Sequence, residues 1–457
     1  MAEENGAERT SLETCEADVE APRPIVVRRT RTFESFGHRD FSLFWGGSLL
    51  SNMGSWMQTA ALGLVVWSFR SSELDLGIVN FMTGIPVLVL ALPAGLLADR
   101  VDRRKLLMAV QAVLLVQATA LGVLFHTGHL SSRTPVLSLV YVSALGLVGG
   151  IASALTFPAW QSLLPDLVPR KSLLNAIALN SAQFQGARLL GPLAAGGILL
   201  LGADYGQVFY VNAASFLFVI GALWFIRPHP SNDGLPGSRA HTHARVADGH
   251  REGPWATLTA GMRYARANRT VGTLIITTAV MTVFGMPFLM LLPAIADKVL
   301  GHPEVGYTYL MSANGAGALV GALVVASLPH TVKRERLIPL VLAGMAVLLI
   351  ALGLSRSFWL SMVLSVFAGA AFLGTNSLTN TTIQAAAPGH LRGRVMALFV
   401  MSFMGIMPIS AIIFGAIGKA IGPANAVLVG AVVLLGWALV LIARPSLLGP
   451  AGEAGLA

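Results

Sequence analysis

A cluster of charged side chains interrupts the apolar sequence at residues 95–107, GLLADRVDRRKLL. Its members are two acids and four bases: Asp99, Arg100, Asp102, Arg103, Arg104 and Lys105. Acids and bases at this spacing can form ion pairs that are made and broken when a protein changes conformation. Basic residues alone are enough to anchor the end of a membrane helix. The stretch therefore fits either a membrane anchor or a part of a moving gate.

One arginine, Arg188, lies inside a largely apolar run. It comes about 15 residues into the run, which is about 22 Å along a helix. A charge at that depth in a membrane is costly and usually faces a cavity or a partner. Two functions fit Arg188 about equally well. In the first, Arg188 binds an anionic or oxygen-rich substrate. In the second, it holds helices together by bonding to backbone carbonyls or to amides such as those of Gln183 and Gln185.

Two apolar runs carry polar residues at helical spacing. The first run has Ser48, Ser51, Asn52, Ser55 and Gln58, and a later run has Thr375, Asn376, Thr379, Asn380 and Thr382. Such stripes either line a cavity or join helices through hydrogen bonds inside the membrane. Glycines and prolines also interrupt the runs, and candidate bending points are Gly191, Pro192, Pro287 and Pro408. Breaks of this kind are tolerated where neighbouring groups satisfy the freed backbone.

Catalytic and metal chemistry are not indicated. None of the 22 acids and none of the ten histidines lies well inside an apolar run, so no proton-relay residue can be located. No cluster of Ser, His, Asp and Glu converges in one run, and there is no phosphate-binding GxxxxGK[ST] loop. His241, His243 and His250 lie in a stretch rich in Pro, Gly and Ser, which is typical of a linker. We therefore expect no enzyme activity, no cofactor and no metal site.

The composition predicts an all-α polytopic membrane protein. Hydrophobic residues make up 54% of the 457 residues and charged residues 12%, whereas soluble proteins carry about 25% charged residues. Apolar runs of about 20 residues, long enough to cross a bilayer, recur along the chain. Twelve transmembrane helices are predicted near 42–68, 76–98, 106–126, 136–158, 173–201, 207–227, 271–294, 305–328, 337–355, 358–384, 395–419 and 425–443.

The distribution of basic residues predicts the orientation. Of the 31 Lys and Arg residues, 25 lie in the chain ends and the even-numbered loops, and only five lie in the odd-numbered loops. The positive-inside rule then places both termini in the cytoplasm. Bases on that side meet anionic lipid head groups, so we expect no nucleic-acid partner in spite of the net charge of +9.

The chain divides into two halves around a linker. The predicted parts are an acidic and then basic cytoplasmic tail at 1–41, six-helix bundles at 42–227 and 271–444, a linker at 228–270 with an amphipathic helix at 255–269, and a cytoplasmic tail at 445–457. Gln161 and Pro165 recur as Gln384 and Pro388 at an equivalent place in the second half. Residues that recur at equivalent places in the two halves predict two pseudo-repeats, an arrangement that transporters use.

These features resemble the major facilitator superfamily over roughly residues 38–445. In that family, the loop between the second and third helices contains a glycine, then an acid followed by a base, then a second glycine and a basic cluster. Gly95 matches the first glycine, Asp99 and Arg100 match the acid and the base, and the bases at 103–105 match the basic cluster. Asp102 replaces the second glycine, a residue suited to a positive-φ turn that Asp tolerates better than most. The stretch at 36–58 is similar to the enterobactin-exporter-like group of bacterial effluxers. GARLLGPLAAGG at 186–197 is similar to an antiporter Gly-Pro motif, with one extra residue in its spacing.

The resemblance implies a monomeric secondary active transporter of the bacterial inner membrane, with twelve helices in two six-helix pseudo-repeats. In similar transporters the loop that matches 95–105 latches the halves together on the cytoplasmic side. Central helices line the substrate cavity in that superfamily. The cavity candidates are therefore Asn52, Gln58, Gln183, Arg188, Asn376 and Asn380.

The predicted function is export of small amphipathic molecules, such as siderophores or drugs, by alternating access. The resemblance implies that a proton gradient drives transport. Import or facilitated uptake of nutrients on the same fold is the alternative.

Overall fold

The computed structural model describes residues 32–226, 254–329, 332–389 and 391–449. Within these residues the chain forms helices and turns and contains no β-strand. Residues 1–31 of the predicted N-terminal tail, most of the predicted linker with its three histidines, and residues 450–457 lie outside the described residues.

The long helices coincide, to within a few residues, with the apolar runs of the sequence. The first half contains α1 (Arg39–Arg70), α2 (Glu73–Arg100), α3 (Arg103–His126), α4 (Pro135–Leu163), α5 (Leu173–Leu200) and α6 (Tyr205–Phe225). Helix α7 (Pro254–Ala267) lies where an amphipathic helix is predicted. The second half contains α8 (Arg269–Lys298), α9 (Val305–Ser327), α10 (Arg334–Leu354), α11 (Phe358–Ala386), α12 (Arg392–Ile421) and α13 (Pro423–Ala443).

Ten helices in the described part of the chain are long and apolar enough to cross a membrane. The chain is therefore a multi-pass membrane protein. Helices α1 and α5 have the required length but are not among the ten. Both carry polar residues inside them, including Gln58 in α1 and Gln183 and Arg188 in α5. The total of twelve crossings stays a prediction.

The bundle has two sides, because successive helices run in opposite directions. The linker side carries the beginning and the end of the described chain. There Ser35 N donates to Asn175 Oδ1 (3.0 Å), and Thr270 Oγ1 donates to the carbonyl of Gly449 (2.6 Å). The opposite side is called the far side here. All described residues with positive φ lie in its short turns: Ser71, Gly128, Gly202, Gly301, Glu304 and Gly422.

Neighbouring helices of one half approach each other to backbone contact. A Cβ at Gly317 of α9 would overlap the carbonyl of Val366 in α11, and one at Gly150 of α4 would overlap the carbonyl of Thr83 in α2. Lipid chains are as apolar as the helix surfaces, so close van der Waals packing has to supply much of the association energy. Glycine at these two positions makes that packing possible.

The two halves meet along two helix pairs, α2 with α12 and α5 with α9. Both contacts again bring backbones together. A Cβ at Gly77 would lie 2.7 Å from the carbonyl oxygen of Ala411, and a Cβ at Gly315 would lie 2.8 Å from the carbonyl oxygen of Arg188. Side chains are thus largely excluded from the interface at these points.

Helices α8 and α12 each widen into a π-helical turn, Met281–Gly285 and Met401–Gly405. Pro287 and Pro408 come directly after these turns, at the start of the next α-helical segment. Proline has no N–H to donate to the carbonyl four residues earlier, which disturbs the regular helix. Two of the four candidate bending points therefore lie at helix irregularities.

The other two candidate bending points, Gly191 and Pro192, are buried in α5, which is one continuous helix. Gly191 permits close contact with α1, since a Cβ there would lie 2.5 Å from Cβ of Trp56. The structure thus gives Gly191 a packing role.

A hydroxyl group of α12 binds a backbone carbonyl that is left without its usual donor in α8. Pro287 cannot donate to the carbonyl of Val283, and Ser410 Oγ from α12 donates to that carbonyl at 2.7 Å. Unsatisfied backbone groups are costly in lipid. Ser410 therefore joins α8 to α12 at the point where α8 is irregular.

Replacing Ser410→Ala is expected to lower the free energy of unfolding by about 1–3 kcal/mol, because it leaves a buried carbonyl without its donor. Reversible unfolding in mixed micelles measures the change. Ser181→Ala is the matched control, since the Ser181 hydroxyl bonds only to the Ile177 carbonyl of its own helix. Equal stability of the two variants would contradict the assigned role.

Candidate functional site

One face of α5 changes from exposed to buried along its length. Leu174 is 83% exposed, Ile177 45% and Phe184 47%. Arg188 and Ala195 lie on the same face further along, and they are 8% and 0% exposed. The spacing of these residues follows the helical repeat, so they form one stripe. The buried part of this stripe lies on the far-side half of α5, and the exposed part lies on the linker-side half.

Helix α9, the partner of α5 in the other half, shows the same change. Thr308 is 0% exposed and packs against Gly196 of α5. Ala326 lies about five turns further along the same face, and it is exposed. Along this helix pair the halves are thus in contact on the far side and separate towards the linker side. We call the space between them, bounded by the exposed stripe Leu174–Phe184, the linker-side vestibule.

Polar contacts between the halves close the far side. Lys298 Nζ at the end of α8 lies 2.8 Å from Glu73 Oε1 at the start of α2. Trp67 Nε1 of α1 donates to Asp297 Oδ2 at 2.9 Å, and Lys298 Nζ lies 4.9 Å above the Trp67 ring. We call Trp67, Glu73, Asp297 and Lys298 the far-side latch.

The far-side latch residues that belong to the first half are buried. Glu73 and Trp67 are only 2% and 5% exposed, whereas the Lys298 side chain keeps 42% of its exposure. A buried carboxylate is stable as an ion only with a partner, so Glu73 depends on Lys298. Tyr205 OH adds another bond between the halves, donating to Glu304 Oε1 at 2.6 Å.

Sequence reasoning did not identify the far-side latch. It placed the two latch acids, with Asp75, Asp204 and Glu304, in loops and gave them no function. The only local signal is a charge at a helix end. The pairing of Glu73 with Lys298 joins residues 225 positions apart and appears only in the folded chain. Asp75 instead pairs within its own half, with Arg70 (2.7 Å).

Arg188 bridges the two halves at the inner end of the vestibule. Its Nη2 donates to Asn314 Oδ1 of α9 at 2.7 Å, and its guanidinium lies 5.5 Å from the centre of the Trp56 ring. Asn314 Nδ2 in turn donates to the carbonyl of Ser365 in α11 (3.4 Å). The predicted amide partners Gln183 and Gln185 make no described bond to Arg188. The amide partner comes from the other half.

The polar stripe of α1 faces the interior of its own half. Ser48 and Ser51 are 0% and 3% exposed. Gln58 Nε2 donates to Gln117 Oε1 of α3 (3.2 Å), and Gln58 Oε1 accepts from Asn212 Nδ2 of α6 (2.8 Å). Gln58 therefore joins three helices of one half, with both its amide nitrogen and its amide oxygen engaged there. Of the α1 candidates, Asn52 remains half-buried.

The polar residues of α11 are divided between buried and half-buried positions. Thr375 and Thr379 are each 1% exposed. Asn376 is half-buried, and its Nδ2 has no hydrogen-bond partner although the atom itself is buried. Asn380 Oδ1 accepts from Gln384 Nε2 at 2.6 Å. In α5, Gln183 Nε2 is also buried and unpartnered.

Asp102 of the charged loop caps a helix. Its φ is −62°, and its carboxylate accepts from the backbone N–H groups of Arg104 (3.0 Å) and Lys105 (3.2 Å) at the start of α3. Asp102 therefore does not adopt the positive-φ turn to which a glycine is suited. An aspartate satisfies the free N–H groups at a helix start, and a glycine has no side chain to do this.

The neighbouring bases fasten α3 to its own half. Arg103 is 8% exposed, and its Nη1 donates to the carbonyl of Ser162 (3.0 Å) and to Asp166 Oδ2 (3.2 Å). Arg104 donates to the carbonyl of Trp224 at the end of α6. Gly95 and Asp99 belong to α2, and their surroundings lie outside what the structure describes. In the described residues there is no group of three or more metal-ligating side chains.

Comparison with known proteins identifies the family that has this architecture. The transmembrane secretion effector family matches residues 30–449. The enterobactin exporter EntS of Escherichia coli O1:K1 is 25% identical over 364 residues, which are 79% of this chain and 81% of the exporter.

Solved transporters share the fold at low sequence identity. A D-xylose–proton symporter superposes with a TM-score of 0.68 at 15% identity, covering 87% of this chain and 96% of the symporter. A POT family transporter in complex with a thioalcohol-conjugated peptide gives a TM-score of 0.69 at 12% identity, covering 92% and 100%. These proteins are transporters and not enzymes. The chain belongs to the transmembrane secretion effector family of major facilitator transporters.

Proposed function

We propose that the protein exports small amphipathic molecules across the bacterial inner membrane by alternating access. The observation that carries this proposal is the stripe on α5, buried against the other half on the far side and exposed on the linker side. A transporter that works by rocking one half against the other needs such a one-sided opening. In this proposal the linker side is cytoplasmic, as the 25 basic residues on that side favour.

The lining of the vestibule supports an amphipathic substrate. Leu174, Ile177 and Phe184 present apolar surface, while Arg188 supplies a charged group deeper in. The matched relative is an exporter of enterobactin. Export of a siderophore or a drug fits this combination, and import of a nutrient on the same fold is the alternative. A proton gradient is the proposed energy source, and the protein is proposed to act as a monomer.

The charged loop at 95–105 is the proposed latch of the linker side. Asp99 and the neighbouring bases would join the halves when that side closes, with Asp99 facing a helix N-terminus of the second half, where the partial charge is positive. Arg103 and Arg104 hold the start of α3 firmly to the first half. The loop thus rests on a rigid base, and the far-side latch and this loop would alternate.

A strain that lacks the protein is expected to lose a secreted small molecule from its medium. Comparison of the media of the deletion strain, the parent and the complemented strain identifies the compound. Everted membrane vesicles that contain the protein should then accumulate it when energised. Accumulation by intact cells, with none by everted vesicles, would contradict export and support import.

Replacing Lys298→Ala is expected to open the far side more often, because it leaves the buried Glu73 carboxylate without its partner. Thr308→Cys in a Cys15→Ser background reports this opening, since Thr308 is 0% exposed in the closed interface. In nanodiscs, a membrane-impermeant maleimide should label this cysteine several-fold faster in the Lys298→Ala protein.

Lys419→Ala is the matched control, because Lys419 is an exposed lysine near the far end of α12 that makes no ion pair with another described residue. Lys298→Arg keeps the charge and should label slowly. Equal labelling rates for Lys298→Ala and Lys419→Ala would show that the pair does not hold the far side closed.

A further inference from the structure

The guanidinium of Arg188 has unused hydrogen-bonding capacity. One of its N–H donors binds Asn314 Oδ1, and the others have no protein partner in the described part of the chain. None of the described ion pairs includes Arg188. A buried cation with several free donors is costly unless an anion or water occupies them. Holding two helices together uses only one of these donors.

Arg188 lies where the vestibule ends. On the α5 stripe, Phe184 is 47% exposed and Arg188, one turn further, is 8% exposed. A molecule entering from the linker side therefore reaches Arg188 last, after passing the apolar residues of the stripe. Beyond Arg188 the interface is closed, since a Cβ at Gly315 would lie 2.8 Å from the Arg188 carbonyl oxygen.

Aromatic rings adjoin the guanidinium. The Trp56 ring lies 5.5 Å from Arg188 Cζ, and Phe184 packs edge-on against Trp56 with ring centroids 6.3 Å apart. The guanidinium is thereby held by a ring and by Asn314, with its orientation fixed. The two rings offer a surface for the flat apolar body of a ligand whose charged group binds Arg188.

Two unpartnered amide atoms lie on the linker side of Arg188 and Asn314. Gln185 Oε1 and Asn376 Nδ2 are buried and have no hydrogen-bond partner. Gln185 is one turn from Arg188 towards the linker side. Asn376 is two turns, or about 10 Å, from Gly369, which packs on the backbone of Asn314. Buried polar atoms without partners in a native protein call for water or a ligand.

We infer that Arg188, Trp56 and Phe184 form the recognition site for a small molecule with one carboxylate on an aromatic or apolar body. The planar carboxylate accepts two N–H bonds from the guanidinium, and the body lies along Trp56 and Phe184. This inference rests on the proposed function and names the substrate class of that transporter.

Binding at this site also affects the contact between the halves. Arg188 Nη2 joins α5 to α9 through Asn314 Oδ1. A carboxylate on the free donors partly neutralises the guanidinium charge, so a bound substrate weakens the charge-assisted bond to Asn314, one of the bonds that hold the halves together at this depth. The substrate thereby favours the rearrangement that carries it across.

The test uses the full-length protein in zwitterionic nanodiscs and two matched probes, 1-pyrenebutyrate and its primary amide. Fluorescence anisotropy measures both affinities, and 2-naphthoate with 2-naphthamide repeats the comparison as competitors. The wild-type protein should bind each carboxylate about tenfold or more tightly than its amide, as expected for a hydrogen bond to a charged group. Arg188→Gln should bind acid and amide equally, and Arg188→Lys should retain part of the preference.

Arg356→Gln is the control, because Arg356 is an exposed far-side arginine that bonds only to the carbonyls of Gly353 and Ser355. Asn314→Ala frees the guanidinium without removing it, so this variant should bind the carboxylates at least as tightly as wild type. Equal affinity of wild type for acid and amide, or an unchanged preference in Arg188→Gln, would overturn the inference.

The labelling of Thr308→Cys in the same nanodiscs, measured without any probe, distinguishes the two proposals. A normal response to Lys298→Ala with no acid preference would reject the carboxylate site and leave alternating access intact.

Discussion

The contact between the two halves on the far side is the constraint on which the rest of the structure depends. Inside a lipid bilayer the hydrophobic effect does not drive helices together, so helix association depends on close packing and a few polar bonds. The α2–α12 and α5–α9 pairs supply backbone contact through Gly77 and Gly315. The far-side latch adds the Glu73–Lys298 pair at the edge. Where these contacts end, at Arg188, the α5 stripe becomes exposed.

Within each half, the helices are held together by contacts that do not involve the other half. Gln58 bonds to both α3 and α6, and Arg103 fixes α3 to the end of α4. Gly317 lets α9 and α11 touch along their backbones. Because these bonds are satisfied within a half, rocking of the halves does not break them. The polar groups left between the halves are few, and a small number of contacts therefore decides which side is closed.

The sequence predicted the helices well, because apolar runs of membrane length and the turn residues between them are local features. It did not predict which way a polar stripe faces. The stripe of α1 has the spacing of a cavity lining, yet Ser48 is 0% exposed and Gln58 bonds to helices of its own half. Spacing shows that residues share a helix face, but the neighbours of that face are set by the fold. The partner of Arg188, Asn314, is 126 positions away, and no local pattern indicates it.

Distances between spin labels test the central claim, that the halves close on one side when they open on the other. Leu174→Cys with Ala326→Cys reports the linker side, and Ser132→Cys with Ala420→Cys reports the far side, in a Cys15→Ser background. All four positions are exposed. By pulsed electron paramagnetic resonance in nanodiscs, Lys298→Ala should lengthen the far-side distance and shorten the linker-side distance. Two distances that stay fixed, or lengthen together, would contradict the account.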